Sequence, residues 1–269
     1  MQAMRLGLVA AVVLVSCGTG GGQAPVAAAS SLTAEQKASI GKKIWQNECG
    51  GTVSGLTSWN AGEEFPSLGI GHFIWYPAGF NGPFEESWPK FAAFAKQAGA
   101  NPPPVAMERH SPWTSRTGFQ ADFNGPRLSG LRSWLAANVP VQTDFIIARS
   151  RAALPKMIAA APASERARIE ANYRKVSTTP QGTYALIDYV NFKGEGTNPS
   201  ERYNCRGWGL LQVLEEMRDV PSGPPAAAEF AAAAKRVLSR RIDNAPSSRG
   251  ESRWEQGWHN RCATYARPL

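Results

Sequence analysis

Glu48 ends an apolar-periodic stretch, with Trp45 shortly before it and Gly50 and Gly51 directly after. A helix-ending glutamate on its own is a solvated surface acid. Here a helix terminus and two indoles, Trp45 and Trp59, make the kind of water-poor setting in which a carboxyl group serves as a general acid. Two more carboxylates, Glu63 and Glu64, follow in a stretch bounded by Gly62 and Pro66, and Glu195 stands upstream of Gly207-Trp208-Gly209-Leu210-Leu211-Gln212. His72, His110 and His259 are isolated, and no pair of cysteines has metal-site spacing, so neither a metal nor another cofactor is implied.

The elements that must position these groups are legible from periodicity. Thr33-Ala34-Glu35-Gln36 has the form of a capping box, opening a helix to about Glu48 with Ile40, Ile44 and Trp45 on one face. From Leu56 to Tyr76 short runs of Gly, Pro and aromatic residues suit a small antiparallel sheet, and Phe84 to Gln97 returns to helical spacing. Ala100 to Gly130, rich in Pro and Gly, reads as a long loop. Helices are then expected at about 127–138, 140–161, 163–176, 181–193, 207–218, 225–242 and 251–266, with Pro155 kinking or breaking the second. The fold class is therefore α+β, mostly helical with one small sheet near the N-terminus.

Of the 269 residues 43% are hydrophobic, among them nine Trp and eleven Phe, which excludes a disordered chain or a coiled coil. A net charge of +8 suits an anionic partner, such as nucleic acid, anionic lipid or a carboxylate-rich polymer. The first residues narrow that choice. Arg5 precedes an apolar run, Leu6 to Val15, too short for a permanent span and suited to a secretory signal peptide. Leu14-Val15-Ser16-Cys17 resembles the lipobox of bacterial lipoproteins, which implies cleavage before Cys17 and acylation of it. Residues 1–16 are then the signal peptide, 17–31 an uncharged flexible tether, and 32–269 one domain with an inserted loop at about 100–130. The expected place is the periplasm, anchored by lipid at Cys17, the outer membrane being favoured; the protein is expected to be monomeric, without a nucleic-acid partner. Export also permits one disulfide. Cys205–Cys262 is the expected pair, because Cys49 abuts Glu48.

Three blocks, in order, resemble the phage-type lysozymes, glycoside hydrolase family 24, of the lysozyme-like superfamily. They are Glu48 followed by Trp59 to Leu68 and Gly69-Ile70-Gly71-His72; Tyr184 to Glu195; and Ser252-Arg253-Trp254 with Asn260-Arg261-Cys262-Ala263-Thr264-Tyr265. They cover about a third of the mature chain, and residues 78–178 align with nothing in that family. The resemblance implies a lysozyme-like fold and cleavage of peptidoglycan glycan strands, with Glu48 as acid and Ser67 in the position of a Thr that stands before the Gly-Ile-Gly-His strand. Ser67 either holds the attacking water or hydrogen-bonds its own turn. The family's hairpin Asp is missing, with Ala61 in its place, so Glu63 or Glu64 either supplies the second carboxylate or is a turn charge. Trp59, Asn60, His72, Trp75 and Gln212 are candidate substrate-binding residues, the aromatic ones, with Tyr76, as sugar platforms or as core; His72 reads as a structural hydrogen-bonding residue. Gly209 to Gln212 also resembles the Gly-Leu-Met-Gln motif of lytic transglycosylases, under which Glu195 is the alternative acid.

The function expected from this is a muramidase or lytic transglycosylase. The alternative is a catalytically inactive lysozyme-like lipoprotein that binds peptidoglycan or a wall-synthesis partner. The anchor can be checked directly: metabolic labelling with a fatty-acid analogue should tag the wild type and leave Cys17→Ser untagged, and an unlabelled, soluble wild type would exclude lipidation.

Overall fold

The computed structural model describes residues 32–82 and 84–269, so the expected signal peptide and tether, with Cys17, lie outside the described residues. The capping box forms: Gln36 N–H donates to Thr33 Oγ1 and Thr33 N–H to Gln36 Oε1, opening α1 (Ala34–Cys49), which Gly50 ends in the left-handed conformation. A one-turn 3-10 helix leads into an antiparallel sheet, ordered β1 (Thr57–Ser58), β2 (Ser67–Leu68), β3 (Phe73–Ile74). Helices α2 (Trp88–Gln97), α3 (Arg116–Ala121), α4 (Pro126–Ala137), α5 (Val139–Ala160), α6 (Arg166–Val176) and α7 (Pro180–Lys193) follow. A short hairpin, β4 (Arg202–Tyr203) and β5 (Arg206–Gly207), precedes α8 (Leu210–Glu216), α9 (Pro224–Asn244) and α10 (Glu255–Ala263).

Helix α7 is the hub. It touches α1, α5, α6, α8 and α9, and its run from Tyr184 to Tyr189 is buried. Around the sheet the packing is aromatic: Trp75 stacks on Trp88 and Phe73 on Phe91, with centroids 5.1 and 4.5 Å apart. Each ring so buried contributes roughly 1.5–3 kcal/mol relative to exposure.

The β4–β5 hairpin is a second sheet, where only one near the N-terminus was expected, and three further expectations need correction. Ala100–Gly130 is not a structureless loop, because α3 and a 3-10 turn (Pro104–Met107) fit between the prolines and α4 begins within it. Trp113 fastens this segment, donating to Asp122 Oδ2 at 2.8 Å and meeting Phe119 edge-on. Pro155 does not break α5; it lies inside the helix on an exposed face, where water can satisfy the carbonyl it frees. Cys205 and Cys262 are not paired: Cys205 is exposed on the β4–β5 turn, whereas Cys262 is fully buried on α10, and both are free thiols, as is Cys49. Burial pushes the thiols of Cys49 and Cys262 up to about 12, so both behave as small apolar side chains.

Gly69 to His72 forms the turn between β2 and β3 rather than a strand. Gly69 adopts φ +72°, and a Cβ there would meet Gln142 Oε1 at 2.4 Å. Gln142, fully buried on α5, accepts from Ile70 N–H at 2.9 Å and donates to Leu135 O at 2.7 Å. It therefore ties the turn to the helical body. Gln142→Leu preserves bulk and leaves the buried Ile70 N–H without an acceptor, while Leu135 O keeps Asn138 N–H; it should lower unfolding free energy by about 1–3 kcal/mol, read from urea denaturation, and an unchanged midpoint would show that the turn holds itself.

Candidate active site

Asp188 is the only charge in the buried run of α7, and it has no solvent exposure. A buried carboxylate needs donors, and Asp188 has several. Arg261, from α10, reaches it with Nε to Oδ2 at 2.8 Å and Nη2 to Oδ1 at 2.9 Å. Tyr265 Oη donates to Oδ2 at 2.7 Å and Asn47 Nδ2 to Oδ1 at 3.3 Å. Burial alone would lower the guanidinium, but the carboxylates of Asp188 and Glu48 outweigh it and hold Arg261 well above its usual range. The same burial, with Asp188 beside them, raises the phenols of Tyr184 and Tyr265, Tyr184 to about 12.

Glu48 closes this network. Its Oε1 accepts from Arg261 Nη2 at 2.6 Å and from Asn191 Nδ2 at 3.1 Å. Its Oε2 lies 3.5 Å from His72 Nδ1, and its side chain keeps 14% exposure. His72 is placed by the Gly69 turn with a left-handed φ of +46°. One carboxylate thus collects side chains from the end of α1, the β2–β3 turn, α7 and α10. One oxygen is thus anchored on two donors and the other faces only His72, which fixes the orientation of the carboxylate.

A cavity of about 740 Å³ lies against this cluster. His72 and Asn191, both in contact with Glu48, line it, as do Phe192, Lys193, Glu195 and Glu201. Glu48 is not itself a lining residue. Glu195 is paired with Lys156 at 3.1 Å. Burial raises the carboxyl group of Glu201 above its ordinary value, with Asn198 and Arg241 opposing.

The other candidates fall elsewhere. Glu63 closes its own turn: its N–H donates to Asn60 O, its carbonyl accepts from Trp59 Nε1 at 2.7 Å, and its carboxylate accepts from Asn60 Nδ2 at 3.1 Å. Glu64 is exposed, and neither glutamate lines the cavity. The turn-charge alternative describes both, and Asn60 serves that turn, not a ligand. Ser67 is buried in the central strand, where its carbonyl accepts from Ser58 Oγ. Trp59, Trp75 and Tyr76 are not sugar platforms, because they are 5%, 0% and 6% exposed and belong to the aromatic core. Trp45 does not shield Glu48 through its polar edge, which donates to Thr52 O.

Gln212 is a brace. Its Oε1 accepts from Gly209 N–H and its Nε2 donates to Gly196 O, while Leu210 and Leu211 N–H donate to the carbonyls of Gly194 and Glu195. The Gly209–Gln212 segment therefore shapes the cavity wall through the backbone of residues 194–196. Asp188, Asn191 and Arg261 were given no individual role by sequence reasoning. The signal for Asp188 was present: a lone acid inside Tyr184-Ala185-Leu186-Ile187-Asp188-Tyr189-Val190 must find a cation when that face packs inward.

No protein-family model, curated protein or solved structure matches the chain.

Arg261→Met should test the hub. It leaves Asp188 buried and without its cation, a loss of about 3–5 kcal/mol by the usual cost of breaking a buried pair from one side. Glu48→Gln keeps Asp188 paired and should cost far less. Equal denaturation midpoints for the two variants would refute the hierarchy.

Proposed function

We propose that this protein is a peptidoglycan-cleaving glycosidase in which Glu48 is the general acid. One observation carries the reading. The blocks that resemble phage-type lysozymes lie far apart in the chain, the first and second by more than a hundred residues, yet Glu48, His72, Asn191 and Arg261, drawn from all three, meet at one carboxylate beside the cavity. A glycan strand in that cavity would present its scissile oxygen near Oε2 of Glu48, with Oε1 held by Arg261 and Asn191. The acid protonates the leaving oxygen as the bond to the anomeric carbon breaks.

The fate of the resulting oxocarbenium-like species follows from what surrounds it. An inverting hydrolase needs a second carboxylate to activate water, and Glu63 and Glu64 are committed to a turn away from the cavity. Capture by the sugar's own hydroxyl, whose proton passes to the Glu48 carboxylate left by the first step, is then the favoured outcome, giving anhydro ends as lytic transglycosylases do. The lipobox-like Leu14 to Cys17 segment suits an enzyme tethered at the periplasmic face of a membrane, the outer membrane by preference. The lack of a carboxylate at the hairpin position also suits a second reading, a lysozyme-like lipoprotein that binds glycan strands or a wall-synthesis partner without cutting.

Incubating purified protein with peptidoglycan and analysing the products by mass spectrometry separates these. Glu48→Gln should lose at least the roughly 10²–10⁴-fold that general acid catalysis supplies, with Glu195→Gln losing far less. Wild type should release anhydro ends, and Glu63→Gln and Glu64→Gln should do the same at near-normal rates. Reducing ends lost in one of those two variants would restore the hydrolase; a folded wild type that cuts no wall at any pH would favour the binding protein.

A further inference from the structure

Lys193, the last residue of α7, lines the cavity and is half-buried. Its ammonium group sits over two rings, 3.4 Å from the centroid of Trp258 and 4.2 Å from that of Phe192. Among the described residues it has no carboxylate within ion-pair distance and no hydrogen-bond acceptor. Beside it, Arg241 binds Glu251 through Nε at 2.8 Å and Nη2 at 2.9 Å, and Arg249 approaches the same carboxylate at 3.7 Å. Arg241 and Arg249 also line the cavity, and Glu251 is fully buried. Two arginines therefore share one carboxylate, and Lys193 beside them has none of its own. Glu201, the lining acid near Arg241, is itself shifted by burial towards its neutral form.

We infer that this end of the cavity is a carboxylate-binding subsite, in which Lys193, flanked by Arg241 and Arg249, takes an acidic group of the wall polymer. The identity of the polymer rests on the function proposed above; the charge imbalance does not. Two groups of peptidoglycan have this chemistry, the lactyl carboxylate of muramic acid and the carboxylates of the stem peptide.

Occupancy should be coupled to protonation. Burial, then Arg241 and Arg261, lower Lys193 to about 6, with Glu251 and Cys262 opposing, so near neutral pH the amine of the empty site is largely uncharged. The groups facing it are Arg241 from α9, Arg261 and Cys262 from α10, Glu251 from the turn before α10, and Glu201 from the loop before β4. A bound carboxylate favours the ammonium form, so binding takes up a proton, and affinity rises as pH falls from about 8 towards about 6.

Isothermal titration calorimetry in two buffers of different ionisation heat tests this on the purified protein. The probes are a muramic-acid-containing tetrasaccharide without peptides, the same glycan with its carboxylates converted to neutral amides, and the free stem peptide. The acidic glycan should bind roughly tenfold or more tighter than the neutral one, as a charge-assisted hydrogen bond would give, with proton uptake. Lys193→Met should lose both the preference and the uptake; Lys193→Arg should keep the preference and lose the uptake. Thermal melts confirm that each variant folds. If the stem peptide binds through Lys193 and the acidic glycan shows no advantage, the subsite stands with the peptide as its source. Equal binding of acidic and neutral glycans with no binding of the peptide, or a preference that survives Lys193→Met, would overturn the subsite and leave the wall-cleaving reading in place. A wild type that binds no probe overturns the subsite; if it also fails to cut peptidoglycan, the wall reading falls with it.

Discussion

The buried pair of Asp188 and Arg261 is the constraint on which the rest of the site depends. Asp188 sits without solvent on the hub helix, so an uncompensated charge there would be intolerable, and the guanidinium of Arg261 must be drawn down to it. Docking Arg261 in turn fixes where α10 ends against α7. Because a guanidinium has five donors and Asp188 uses two contacts, Nη2 remains able to reach Glu48. The acid at the end of α1 is thus held by a residue 213 positions away, through a cation that another carboxylate has already oriented. Arginine is suited to this because its fork is rigid and keeps its charge when buried.

A second positioning device acts from the opposite side. The turn between β2 and β3 is too short to be rigid by itself, and the strands around it have only two residues each. Gln142 supplies what the ladder cannot, linking Ile70 to Leu135 across the sheet–helix boundary. His72 then projects from a left-handed backbone position towards Glu48. The glycines of the motif serve this geometry: one adopts a positive φ, and both Gly69 and Gly71 leave no room for a Cβ against Gln142 and Phe73.

Much of the helical framework was legible because local rules and tertiary packing agree there. Thr33 and Gln36 form the capping box that their spacing implies, and the ends of α4, α5, α7 and α9 fall within a few residues of their periodic patterns. The failures share a cause, since each needed three-dimensional burial that a single sequence does not carry. Trp59 and Trp75 directly follow two-residue strands, a placement equally consistent with a sugar platform and with core; only their burial decides. Cys205 and Cys262 are both compatible with an oxidising compartment, but one faces solvent and the other the interior. The prolines and glycines between Ala100 and Gly130 punctuate short helices there, and punctuation alone does not reveal what lies between. In the candidate site, the approach of Glu48 and His72 joins two residues already singled out in the sequence, whereas the contacts of Asn191 and Arg261 with Glu48 emerge only when the helices are assembled.

Charge and aromatic contact connect the acid to the far end of the cavity. Arg261 lies over Phe192; Lys193 lies over Phe192 and Trp258; Arg241 lies over Trp258 and Trp208, which packs on Tyr203. Cations and rings therefore alternate along one wall, each ring accepting the positive charge of its neighbours on its face. Such a wall would repel itself if every cation were uncompensated. Two buried acids prevent this, Asp188 beside Arg261 and Glu251 beside Arg241, each shut away from water. The compensation stops at Lys193, which sits between the two pairs with an acid of neither. An apolar residue there would satisfy packing alone, and burial works against the charge of the lysine. A basic position left without an acid between two closed pairs is where an acidic ligand would gain most over a neutral one.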